Sequence, residues 1–403
     1  MNTEDHDKWK ILTFISVALV CSMTSWFAAT AVLGEFSNAI GITLQQGAWL
    51  TNAVQIGFVF GALGSAFLSL TDVVSVTRIL SAASLLAGIS TALLLLEPTL
   101  SVALVLRFIS GIALAGVYPT VTKLTATWFV QSRGMAIGIM VGALTLGSAM
   151  PYFVRTLGNA ASWQLVITVA ALACVVASAI FGLCLREGPH AFPRGKFNPA
   201  QIGKILKDKP VMLANVGYFG HMWELYAMWG WILAYASAAS AGGSVTIDAA
   251  MLAFLVVAAG APGCLVGGYL SDRFGRCRTT ITMMTISGSC AVLIGFVFNG
   301  PTSLFVIIAL VWGFTAVADS AQFSTAVSEL SQGDFVGSSL AFQMAVGFAI
   351  TVLAIFLVPV IVDVFGSWRW SFLILLPGPV IGVIAMIKLR AHPDSIKLAG
   401  GLR

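Results

Sequence analysis

The chain has 403 residues, 58% hydrophobic and only 9% charged, with a net charge of +5. Soluble globular domains carry about 25% charged residues, and disordered chains need low hydropathy and high charge, so both classes are excluded. A β-barrel needs alternating segments of about 10 residues, whereas the apolar runs here are continuous over 11–33 and beyond. The composition leaves an all-α integral membrane protein with many spans.

Twelve apolar segments follow in chain order, bounded by charges, Gly or Pro: 11–33, 46–70, 75–96, 99–124, 134–157, 164–185, 210–237, 247–270, 279–298, 302–327, 336–363 and 369–389. Each is of spanning length. The first follows Lys8 and Lys10, yet its apolar run is too long for a signal-peptide core and has no fitting cleavage site. The one long polar stretch, 186–209, carries Arg186, Arg194, Lys196, Lys204, Lys207 and Lys209. It divides the chain into a six-helix half at 1–185, a cytoplasmic linker at 186–209, a second six-helix half at 210–390 and a tail at 391–403.

The basic residues are a topology signal and not a nucleic-acid footprint. Of the 21 Lys and Arg, 18 fall on the side shared by both termini, the exceptions being Arg107, Arg155 and Arg369. The positive-inside rule places that side in the cytoplasm. The expected setting is a multi-pass cell membrane protein of the bacterial inner membrane, with lipid around a monomer. The six cysteines show no C-x-x-C spacing and read as small core residues. Metalloprotease, hydrolase and phosphate-binding-loop motifs are absent, so neither an enzyme nor a cofactor is expected.

The halves repeat each other. Gly61 and Gly64 precede Asp72 much as Gly260 and Gly263 precede Asp272, and Ser162-Trp163 opens the sixth segment as Ser367-Trp368 opens the twelfth. Several transporter folds are duplicated in this way.

The loop after the eighth segment contains Gly268, Asp272, Arg273, Gly275 and Arg276, with Cys277 in place of a further basic residue. This pattern resembles the cytoplasmic signature G-x-x-x-D-[RK]-x-G-[RK]-[RK] of the major facilitator superfamily. The resemblance implies twelve transmembrane helices in two six-helix halves, and a loop clamped to a neighbouring helix to steady one conformation. Asp72 marks a degraded copy in the first half, where Val73, Val76 and Thr77 replace its partners. The fourth segment has Arg107 followed by Gly111, which resembles a family motif whose Arg serves proton coupling or substrate charge. The fifth-segment pattern of family drug antiporters is incomplete, because Gly147 is followed by Ser148, Ala149, Met150 and Pro151.

Charged residues inside spans are costly and mark function by default. Arg107, with Gly111 and Tyr118 on one face, is the candidate attractor of an anion, joined by Trp26, Asn52, Gln55 and Gln322 as substrate-binding candidates. His221 and Glu224 are neighbours at i and i+3 on the seventh segment. An isolated carboxylate there must be protonated, face water, or pair with His221 or Arg107. His221, Glu224 and Asp319, on the tenth segment, are the proton-coupling candidates.

The expected activity is proton-coupled secondary transport of a small polar, anionic solute by alternating access, as symport or antiport. A divalent-metal site built from His221, Glu224 and Asp319, or efflux of lipophilic cations, are the alternatives.

Overall fold

The structure is a computed structural model that describes residues 3–68, 70–129, 133–157, 162–190, 201–243, 245–331 and 335–403. Arg194 and Lys196 of the expected linker lie outside these, as do the side chains of Asp72 and Arg133. The described residues are mostly helical, with no strand among them, and ten of their helices are long and apolar enough to span a membrane. The two further spans of the twelve-helix fold are the first helix, which is interrupted, and the seventh, which carries many polar side chains. By their internal contacts the residues form two compact units, Met1–Arg194 and Gly195–Arg403.

The first unit contains α1 (Thr3–Met23), α2 (Ala28–Ala31), α3 (Leu33–Ile40), α4 (Leu44–Phe67), α5 (Leu70–Val73), α6 (Val76–Ala92), α7 (Leu100–Trp128), α8 (Arg133–Thr156) and α9 (Trp163–Ala179). A capping box starts α4: Thr43 Oγ1 accepts from the Gln46 amide, and Gln46 Oε1 accepts from the Thr43 amide. Helix α3 stops at Gly41, whose φ of +69° is left-handed. Helices α4 and α7 pack backbone to backbone, since a Cβ on Gly57 would strike the Phe108 carbonyl and one on Gly111 the Val54 carbonyl. Close approach at small residues is how spans associate where lipid removes the hydrophobic drive.

The second unit contains α10 (Ile202–Ile205), α11 (Lys209–Ala241), α12 (Ala249–Phe274), α13 (Arg276–Phe296), α14 (Thr302–Ala318), α15 (Ser320–Leu330), α16 (Val336–Phe365) and α17 (Pro377–Ala391). Asp208 caps α11 by accepting from the Val211 amide, and Asp248 caps α12 by accepting from the Met251 amide. Here α12 and α14 make the close crossing: Gly313 abuts the Val256 carbonyl, and Gly267 abuts that of Ala318.

Two expected helices are broken. The first segment unwinds between Met23 and Ala28, leaving α1, α2 and α3 in place of one helix over 11–33. The tenth divides at Asp319, which ends α14 and begins α15. Neither break contains Pro or Gly, so both arise from contacts made across the fold. The twelfth segment begins as a short 3-10 turn, Ser371–Leu375, before α17.

Candidate functional site

In the first unit the break in the first span is held by Arg107. Its Nη2 donates to the carbonyl oxygens of Ser25 at 3.0 Å and Trp26 at 2.6 Å. The unwound turn leaves those carbonyls without helical partners, and irregular backbone at membrane depth requires such satisfaction. Arg107 is fully buried, so its guanidinium does not reach the membrane surface. Its Nε and Nη1 have no hydrogen-bond partner among the described residues. The side-chain amides of Asn52 and Gln55, on α4, are likewise buried with no partner among the described residues.

Trp26 is buried against Phe58, with ring centroids 5.1 Å apart. Tyr118 is half-buried further along α7. Gly111 departs from the expected cavity stripe, because its open face is filled by α4. Near the far end of the unit, Arg155 forks onto both carboxylate oxygens of Glu35 and also donates to the Ala31 carbonyl.

In the second unit His221 and Glu224 part company. His221 Nδ1 lies 2.8 Å from Asp319 Oδ1, and both side chains are 2% exposed. The imidazole packs against the rings of Tyr218 and Phe323, at centroid distances of 6.0 and 5.6 Å, and those two rings also touch each other. Its Nε2 has no partner among the described residues. Glu224 does not take His221 as a hydrogen-bond partner. Trp312 Nε1 donates to its Oε1 at 2.7 Å, and Ser287 Oγ is hydrogen-bonded to its Oε2 at 2.9 Å. Trp312 and Ser287 carried no sequence signal, since a Trp and a Ser in apolar spans read as packing. No group of three His, Cys, Asp or Glu among the described residues is placed to hold a metal ion.

The motif at the α12–α13 turn is built around Arg276. Its Nη1 donates to Asp272 Oδ1 and Ser271 Oγ, both at 2.8 Å, and to Gln322 Oε1 at 3.2 Å; its Nη2 donates to Glu329 Oε1 at 3.1 Å. That fork ties the α12–α13 turn to α15. Gln322, expected among the substrate-binding residues, is thus engaged by the loop. Arg273 is an outer residue that donates to the Tyr269 hydroxyl and lies over the Phe274 ring. Gly275 turns the chain with φ +96°, and the carbonyls of Leu402 and Arg403 occupy the space of a Cβ. Gly268 faces open space, while the adjacent Gly267 makes the helix contact. Asp72 falls on the short helix α5. Glu329, absent from the expected motif, also accepts from the Ala399 amide of the C-terminal segment.

Comparison with known proteins agrees with this architecture. The family model of the Major Facilitator Superfamily matches residues 15–265 and 231–401. The probable sulfoacetate transporter SauU of Cupriavidus necator is 23% identical over 373 residues, covering 84% of this chain and 85% of its own. Among solved structures, a point mutant of the nucleoside transporter NupG superposes with a TM-score of 0.73 at 14% identity, covering 94% of this chain and 99% of that one. A bacterial homologue of the human lysosomal transporter Spinster, inward-facing and occupied, gives 0.72 at 14% identity, covering 95% and 96%. The two structures share the fold. With twelve spans in two six-helix halves and a family model matched over nearly its whole length, the chain belongs to the major facilitator superfamily, a multi-pass membrane transporter and not an enzyme.

Proposed function

We propose that this transporter moves a small organic anion, of the size and charge of short sulfonates and carboxylates, and couples the movement to protons. The observation that carries the reading is Arg107, a fully buried cation with two guanidinium nitrogens that have no partner among the described residues. A buried charge is costly without a counter-charge. The fork geometry of Arg suits a planar carboxylate or a sulfonate, which can take two parallel N–H donors. Asn52 and Gln55, on the neighbouring helix α4, add donors that have no partner among the described residues. The similarity to a probable sulfoacetate transporter supports the same solute class.

The proton partners in this reading are His221 and Asp319. An imidazole in contact with a carboxylate at the break of a span can gain and lose a proton while its neighbour changes the cost of each state. Glu224, the third member of the expected set, is engaged by Trp312 and Ser287. The charge asymmetry of the loops favours cytoplasmic termini in a bacterial inner membrane.

The test is thermal stability of the purified protein with short sulfonates, carboxylates, divalent metals and lipophilic cations, at acidic and neutral pH. A ligand that binds the folded state raises the melting temperature by mass action. An anion should stabilise the wild type and fail to stabilise Arg107→Ala. Stabilisation by metals or lipophilic cations alone, unaffected by Arg107→Ala, would overturn the reading.

A further inference from the structure

Glu224 sits one turn from His221 on α11, yet its surroundings are of a different kind. Trp312 Nε1 donates to Oε1 at 2.7 Å, and Ser287 Oγ lies 2.9 Å from Oε2 and 3.2 Å from the Met284 carbonyl. No basic side chain contacts the carboxyl among the described residues. The titratable groups that face it are Asp319, at the α14–α15 junction, and Cys290, on α13. Helices α12, α16 and α17, which also pack on α11, bring none to it among the described residues. His221, on its own helix, is turned to Asp319.

An ionised carboxylate would hold a full buried charge against two hydrogen bonds, with an acidic neighbour and no cation. The neutral acid fits the same atoms one for one. Its carbonyl oxygen accepts from the indole, its hydroxyl donates to Ser287 Oγ, and the Ser287 hydrogen passes to the Met284 carbonyl. Each donor then has one acceptor.

The first unit carries a corresponding tie. Ser22 Oγ, on the first span, bonds Ser84 Oγ, on the third, at 2.8 Å, while Arg107, on the fourth, holds the Ser25 and Trp26 carbonyls of the first. In the second unit Glu224, on the seventh span, bonds Ser287, on the ninth, and Trp312, on the tenth. Ser84 and Ser287, Arg107 and Trp312, and Ser22 and Glu224 are spaced about 200 residues apart, as duplicated halves require. The first unit makes this tie without a carboxylate.

We propose that Glu224 is a positioning residue that keeps its proton throughout the cycle: as a neutral acid it pins α11 to α13 and α14, fixing the helix rotation that aims His221 at Asp319. The proton that moves belongs to the His221–Asp319 pair. The last statement rests on the proton-coupled reading; the state of Glu224 does not.

The experiment is infrared spectroscopy of the purified full chain, wild type against Glu224→Gln, together with anion uptake into proteoliposomes across a range of pH. A carboxamide can copy the neutral acid, accepting from Trp312 and donating to Ser287. The wild type should show the C=O stretch of a protonated carboxyl at neutral and mildly alkaline pH. Glu224→Gln should remove it, and Trp312→Phe should move it to higher frequency as the donor to the carbonyl is lost. Glu224→Gln should keep proton-driven uptake within about twofold with an unchanged pH profile, while His221→Asn or Asp319→Asn flattens that profile. The proposal is overturned if the band is absent from the wild type at neutral pH, or if Glu224→Gln abolishes proton-driven uptake yet preserves anion exchange. A wild type that transports no tested anion would sink the transport reading, and the infrared spectra would still decide the state of Glu224.

Discussion

Replacing Arg107 by Ala separates two roles that the structure combines in one side chain. The guanidinium satisfies two carbonyls of the broken first span through Nη2, while Nε and Nη1 have no partner among the described residues. Polar contacts inside membrane proteins contribute about 0.6 kcal/mol each on average and at most about 1.7. Two lost contacts therefore cost the ligand-free protein about 1–2 kcal/mol, and relief of a buried cation offsets part of that. The effect on a bound anion is larger, because each hydrogen bond to a charged group contributes about 1.5–3 kcal/mol. Losing two weakens binding by a hundredfold or more.

At a ligand concentration of about 100 times the wild-type dissociation constant, binding stabilises the wild type by about 2.7 kcal/mol. A hundredfold weaker variant gains only about 0.4 kcal/mol at the same concentration. The assay is thermal or denaturant unfolding in detergent, with and without the anion. Arg107→Lys should fall between the two, since an ammonium keeps the charge and loses the fork. An Arg107→Ala protein that melts lower but gains the full ligand stabilisation would refute the binding role and leave only the clamp.

Other perturbations follow from named contacts. Gly275→Ala should destabilise the second half by about 1–3 kcal/mol, because φ +96° is strained for Ala and the Leu402 and Arg403 carbonyls block its Cβ; an unchanged melting temperature would contradict this. Gly111→Val should lower stability by more than Gly34→Val, since the first strikes the Val54 carbonyl and the second meets nothing within 4 Å. Glu35→Gln should cost less than about 1 kcal/mol despite the fork from Arg155, because both partners are well exposed, at 46% and 28%. Unfolding of that variant at low and high salt measures it, and a loss of several kcal/mol would show that the pair is better shielded than its exposure indicates. Glu329→Gln should loosen the α12–α13 turn and expose Arg276 to faster proteolysis, since Glu329 holds both Arg276 and the Ala399 amide.

The fold was legible because lipid imposes a coarse rule that sequence displays openly. Apolar segments of spanning length gave the helices, and the Gly275 turn with its flanking charges gave the family resemblance. What stayed hidden depends on contacts between residues far apart in the chain. The first span breaks at Thr24–Phe27, where no Pro or Gly warns of it, because an arginine some 80 residues later supplies donors to Ser25 and Trp26. The spacing of His221 and Glu224 suggested a pair, but i and i+3 only makes neighbours of two side chains; it does not choose their partners. Asp319, Trp312 and Ser287 chose them. Gln322 lay on a face with Asp319, and only the packing of α15 against the α12–α13 turn brings it to Arg276.

The central claim is tested most directly by uptake of a short radiolabelled organic anion into proteoliposomes under an imposed pH gradient. The account predicts accumulation that collapses when the gradient is dissipated and is lost in Arg107→Ala protein that still folds. Accumulation that ignores both the gradient and Arg107, or uptake confined to cations, would contradict it.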